Sequence, residues 1–156
     1  MPVRPSLLLL AFASNACGGL HQLEGSLGAI VDLTYGGAKA AQTTDQVALQ
    51  FVRSKGSGED LILQVTASLA GIQLTPNATL DLAELISPDV QRGAVSRNVL
   101  NDPRTTFPRL QRGRLRFRAA LTQGQKVNGD FSITFIDGTD SASGRTVFGD
   151  FTAVVQ

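Results

Sequence analysis

Between Arg92 and Arg118 the chain carries eight arginines, no lysine and one acidic residue, Asp102. Arg112, Arg114, Arg116 and Arg118 occupy every second position, with Leu115 and Phe117 between the last three. Successive side chains of a strand point to opposite faces, so the four guanidiniums share one face and the two apolar residues the other. A guanidinium fork matches the paired oxygens of carboxylate, sulfate and phosphate. The row can therefore form a ledge for an acidic polysaccharide, for lipopolysaccharide phosphates or for an acidic protein face. The competing reading is a solvated face neutralised by acids on neighbouring strands, and the chain has 13 acidic residues to do this. Like charges in a row also discourage strand-to-strand aggregation. Nucleic acid is not the expected partner, because the formal charge is only +1 and no stacking aromatics alternate with the arginines.

Other chemistry is limited by inventory. The chain has one histidine, His21, and one cysteine, Cys17. Nucleophilic triads need a histidine held by a third group, and zinc sites need several His or Cys ligands. No phosphate-binding glycine loop of the nucleotide-binding types is present. Hydrolysis by two carboxylates remains formally open. With no tryptophan and one tyrosine, however, the sequence offers little sugar-stacking surface. Asp137, Asp140 and Asp150 surround a Gly/Ser-rich stretch, but they lack the spacing and closing Glu of a calcium loop, and Asp and Gly suit tight turns. No enzymatic activity, cofactor or metal is expected.

The N-terminus reads as an address. Arg4 precedes an apolar run from Leu7 to Ala13, and small residues follow. This is the layout of a secretory signal, and the run is too short to span a bilayer. Ser14-Asn15-Ala16-Cys17 resembles a bacterial lipobox, in which a small residue precedes a cysteine that becomes acylated. The match is at Ala16 and Cys17; Ser14 stands where an aliphatic residue is usual. Ala11-Phe12-Ala13 and Ser14-Asn15-Ala16 also fit an ordinary signal peptidase site, so both kinds of processing stay open. The sole cysteine falls where a lipoprotein needs it, and Gly18-Gly19 suits a tether. The resemblance implies lipidation of Cys17, and Gly18 in place of Asp implies an outer-membrane destination. Cleavage before Cys17 leaves 13 basic and 13 acidic side chains.

At 156 residues the chain has room for one domain. Alternating apolar residues dominate it. Leu27, Ala29, Val31, Leu33 and Tyr35 predict one strand; Val47, Leu49 and Phe51 a second; Leu61, Leu63, Val65 and Ala67 a third. Ile72 and Leu74 predict a short extension. Leu115 and Phe117, then Phe131, Ile133 and Phe135, then Val147, Phe151, Ala153 and Val155 predict three more. Asn77 to Ile86 fits either a short helix capped by Asn77 or a strand using Leu80 and Leu82. Ser87-Pro88-Asp89 fits a brief helical turn. Gly129-Asp130-Phe131 echoes Gly149-Asp150-Phe151, as two strands of a hairpin would. The fold class is all-β: a single antiparallel β-sandwich or open barrel. The expected layout is a signal peptide at 1–16, a lipid-anchored tether at 17–26 and the β-domain at 27–156.

Leu23-Glu24-Gly25-Ser26-Leu27, Asp32-Leu33-Thr34-Tyr35, Phe51-Val52-Arg53 and Gly144-Arg145-Thr146-Val147-Phe148-Gly149-Asp150-Phe151 resemble small β-rich lipoproteins of myxobacterial type. The resemblance implies a cell-envelope location and supports the fold. The expectation is a non-enzymatic, membrane-anchored envelope lipoprotein that acts as a structural or protein-interaction module, with other envelope proteins as partners. The alternative is a binding module for an anionic polysaccharide or lipopolysaccharide through Arg112, Arg114, Arg116 and Arg118.

Overall fold

The structure, a computed structural model, describes residues 19–156. The expected signal segment and the candidate lipidation site Cys17 lie outside the described residues. Twelve strands follow in chain order: β1 (His21–Gln22), β2 (Thr34–Tyr35), β3 (Gly37–Gln42), β4 (Gln46–Lys55), β5 (Gly58–Ser68), β6 (Thr79–Asp81), β7 (Leu85–Ser87), β8 (Val90–Gln91), β9 (Gly93–Asn98), β10 (Leu110–Phe117), β11 (Lys126–Phe135) and β12 (Thr146–Val155). Eight of them form one sheet in the order β6-β10-β11-β12-β3-β4-β5-β9, which curls into a nearly closed barrel. The all-β expectation holds. The sheet is mixed, however, because β12 runs parallel to β3 through Ala153–Ala38 and Val155–Ala40. Strands so far apart in sequence need no tight turn between them, so a parallel pairing costs no hairpin.

Alternation works where strands were expected. In β11, Val127, Phe131, Ile133 and Phe135 are buried; in β12, Val147, Phe151, Ala153 and Val155 are. The Gly-Asp-Phe echo is a reciprocal cross-strand arrangement, with Gly129 opposite Phe151 and Phe131 opposite Gly149. The Phe151 ring lies where a Cβ on Gly129 would be, so the glycine makes room for the aromatic side chain. Phe51 joins these rings at 5.4 Å from Phe131 and 6.3 Å from Phe151, and Phe117 meets Phe151 at 5.6 Å. Phe51, Phe117 and Phe131 are almost fully buried, and the four rings occupy the middle of the core.

Several local expectations give way. Leu27, Val31 and Leu33 are buried as expected, but no long strand carries them. Ser26–Ala29 form a 3-10 turn, entered from Gly25 at φ 116°, and Gly28 and Val31 donate main-chain bonds to Gly25 and Leu27. A compact turn can bury every other apolar residue as a strand does, so period two alone does not separate them. The folded body also begins earlier than expected. His21–Gln22 pair with Thr34–Tyr35, Leu23 is in the core, and Glu24 bridges Phe148. The chain is thus part of the fold from His21, well before residue 27. Gly37–Gln42 forms β3 without a marked apolar alternation, because Ala38 and Ala40 suffice at that tightly packed face. Ile72 and Leu74 are half-buried in a loop. Residues 79–81 adopt the strand reading, while Pro88 and Asp89, the latter at φ 68°, turn β7 into β8 instead of opening a helix.

Leu82, immediately after β6, closes the barrel. Its N–H donates to Gly113 of β10 at 2.9 Å, and its carbonyl accepts from Gly93 of β9 at 2.8 Å. Beside it the Gln91 side-chain amide imitates a strand: it donates to the Leu110 carbonyl and accepts from the Leu110 N–H, both at 2.7 Å. A Cβ on Gly93 would lie 2.5 Å from the Leu82 Cβ, and one on Gly113 2.8 Å from it. Only glycine lets the two strands approach this linker so closely. Gly93→Ala and Gly113→Ala are each expected to lose about 1–3 kcal/mol of stability, the range for forced overpacking. Urea denaturation measures this against Gly37→Ala, where a Cβ meets nothing within 4 Å. Equal midpoints for the three variants would refute the tight seam.

Candidate functional site

The eight arginines expected as a cluster serve three different purposes. Arg92, Arg97 and Arg104 tie the framework together. Buried Arg92 donates to Glu84 at 2.9 Å and to the carbonyls of Ser68 and Ala70. Arg97, also buried, donates to Asp102 at 2.8 Å and to the Asp32 carbonyl at 3.2 Å. It thereby fastens the loop after β9 to the N-terminal loop. Arg104 holds Asp140 at 3.0 Å and Ser141 at 2.7 Å, with its guanidinium 5.6 Å from the Phe107 ring centre.

Arg112, Arg114, Arg116 and Arg118 do share the outer face of β10 and the residue after it, opposite buried Leu115 and Phe117. Pairing with β11 places Asp130 across from Arg116. One Asp130 oxygen accepts from Arg116 Nε at 2.9 Å and Nη2 at 2.7 Å, and lies 3.5 Å from Arg118 Nη2. Arg118 also donates to Asp150 on β12 at 3.1 Å. Asp130 is mostly buried while Asp150 is open to solvent, so the first pair is the better ordered. Arg109, Arg112 and Arg114 make no ion pair among the described residues. Half of the ledge is therefore neutralised by its own sheet, and the Arg112–Arg114 half is left positive. Asp81, level with Arg114 in β6, stays beyond ion-pair distance.

Three shallow depressions cross this face and run into one another. The one beside Arg112 and Thr134 meets the one beside Arg116 at Arg114 and Ser132. That in turn meets the third at Arg118 and Asp150. The third, about 590 Å³, is a notch in the barrel wall beside His21 and Tyr35. It exists because β12 changes partner. Phe148 pairs with Glu24 and Ala153 with Ala38, and between them the β12 edge has no strand partner among the described residues. Phe148 exchanges both main-chain bonds with Glu24, so by alternation the N–H and carbonyl of Asp150 face the gap.

His21 was expected on a flexible tether. Instead β1 holds it at the notch, its ring 5.5 Å from Tyr35, which packs 4.9 Å from Phe51. Tyr35 is buried, and desolvation raises its phenol above the ordinary range. The notch residues come from β1, β2, β3, β11 and β12 and from Arg118 just after β10, and no spacing in the sequence links them.

The Asp-rich segment at 137–144 is turn chemistry. The Asp140 carboxylate accepts the Ala142 N–H at 2.7 Å and a bond from Arg104, and both hold its carboxyl below the usual range. Asp32, similarly, is lowered to about 2 by the Arg53 guanidinium and by the Thr34 N–H. These acids hold loops at their places.

Asp130→Asn tests the division of the ledge. It is expected to cost about 1 kcal/mol of stability, as for loss of an ordinary hydrogen bond. It should also raise the salt needed to elute the protein from heparin resin, because Arg116 and Arg118 lose their shared counter-charge. Unchanged elution would mean that these two arginines already face solvent as free charges. No family model, curated protein or solved structure matches the chain.

Proposed function

We propose that this protein is a non-enzymatic, lipid-anchored module of the cell envelope, held to the outer membrane through Cys17, that works by contact with other envelope proteins. The supporting observation is the charge lattice on the outer face of the barrel. Arg116 of β10 and Arg118 just after it face Asp130 of β11 and Asp150 of β12, which are themselves cross-strand partners, so cations and anions form one ion-paired cluster. Fixed charges of both signs select a partner with the complementary pattern and set its register more than they add raw affinity. A rigid sheet keeps that pattern constant, as an interaction module requires. One acyl chain binds membranes only marginally, and stable anchoring takes two signals. A fully processed lipoprotein carries more than one chain, so the protein should follow the membrane fraction.

Intact mass of the native, membrane-extracted protein tests the anchor beside a Cys17→Ser control. The expected result is a chain that begins at Cys17 with added acyl mass, absent from the control. A bare chain beginning at Cys17 or Ser14 overturns the anchor, and an uncleaved chain overturns export.

A second reading is favoured by the uncompensated pair Arg112 and Arg114: the face takes an anionic polysaccharide or lipopolysaccharide. Arg112→Ala with Arg114→Ala is then expected to abolish most salt-dependent retention on heparin resin. Arg118→Ala should have a smaller effect, since Arg118 is already partnered. Retention unaffected by the double change removes the polyanion reading and leaves the protein-interaction one.

A further inference from the structure

The notch beside His21 holds chemistry that neither the arginine ledge nor the anchor uses. We propose that it is a subsite for one acidic sugar residue of an extracellular polysaccharide, the chain of which continues along the groove towards Arg114 and Arg112. The inference rests on reading the barrel as a polyanion-binding module and deepens it.

Three features carry it. The first is a ring surface. Phe51, Tyr35 and His21 form a ladder from the core outwards, at 4.9 Å and 5.5 Å, and end in the exposed imidazole of His21. A platform backed by packed rings is rigid, and a sugar ring can lie on it without ordering a loose side chain. The second is hydrogen-bonding capacity that the sheet leaves unused. The Asp150 N–H and carbonyl face the gap. The Asn128 amide oxygen is taken by the Thr152 hydroxyl at 2.7 Å, which leaves the amide N–H groups to donate. Sugar hydroxyls both donate and accept, so this mixed set suits them. The third is charge. Lys126 lines the notch and makes no ion pair among the described residues, whereas Arg118 there is balanced by Asp150. One uncompensated cation beside neutral donors matches one carboxylate on a sugar ring better than it matches a phosphate cluster.

The notch also opens into the groove at Arg118, and the path leads to the uncompensated arginines. From Arg118 to Arg112 is six strand residues, on the order of 20 Å. A linear polymer with regularly spaced carboxylates can meet Lys126 at one end and Arg112 and Arg114 at the other. A single small anion cannot.

Calorimetric titration of the full chain in detergent with an oligogalacturonate tests this, with a neutral oligosaccharide of equal length and anionic phospholipid vesicles as comparisons. Binding of the oligogalacturonate alone is expected. His21→Ala and Lys126→Gln should each weaken it about tenfold, the weight of one charge-assisted hydrogen bond or one lost ring surface. Both residues are exposed, and an unchanged urea midpoint shows that folding is intact. Equal binding of acidic and neutral sugars overturns the proposal, as does preference for the vesicles. If only Arg112→Ala and Arg114→Ala weaken binding, the notch subsite fails and the polyanion reading stands. If no probe binds, both fail.

Discussion

The linker that follows β6 holds this barrel shut. Leu82 extends the β6 ladder by giving its N–H to Gly113 of β10 at 2.9 Å and offers its carbonyl to Gly93 of the opposite edge strand, β9, at 2.8 Å, while the Glu84 carbonyl accepts the Arg92 N–H at 2.7 Å. A sheet edge left open is both a loss of hydrogen bonds and an invitation to aggregate. Here the two edge strands, β6 and β9, do not pair with each other; the linker residues Leu82 and Glu84 and the Gln91 side chain bridge the seam instead. The price of that economy is steric, since both flanking strands must carry glycine where Leu82 passes. Closure then fixes the curvature of every strand between, including β10, β11 and β12, which carry the charged outer face.

Within that closed wall the arginines separate by depth and by neighbour. Arg92 and Arg97 are buried and donate to carbonyls at loop junctions. Arg116 and Arg118 stay at the surface and share Asp130. Arg112 and Arg114 face hydroxyl-bearing Thr134 and Ser132 on β11. A one-residue slip of β11 would turn its one acid, Asp130, inward and leave Arg116 without a counter-charge and Arg118 with only Asp150. The balance between a neutral lattice and a cationic ledge is therefore a matter of register.

The change of partner along β12 has a similar origin. The N-terminal segment supplies Glu24 for one part of its edge and β3 supplies Ala38 for another, and the chain between those two contacts bulges away through the 3-10 turn. The segment that bulges away packs Leu27 and Leu33 into the core. What it leaves is a rim of unused main-chain groups beside His21, with Lys126 and Asn128 on the neighbouring strand.

The sequence by itself determined what each strand face would be. Alternation put Leu115, Phe117, Phe131 and Phe151 inside and the four arginines of β10 outside, because a strand has only two faces and apolar area leaves water. It also marked the Gly129 and Gly149 pair as hairpin partners. It did not separate a strand from a compact turn at Leu27–Leu33, since both bury alternate residues, and it gave no sign of β3, whose alanines carry little hydrophobic contrast. Which acids on β11 and β12 neutralise the β10 arginines, that Leu82 helps close the sheet, and that His21 and Lys126 line one notch were decided only in three dimensions. The ledge, closure and notch contacts join residues 11 to more than 100 positions apart, and their partners are set by strand register and barrel closure, which no local pattern encodes.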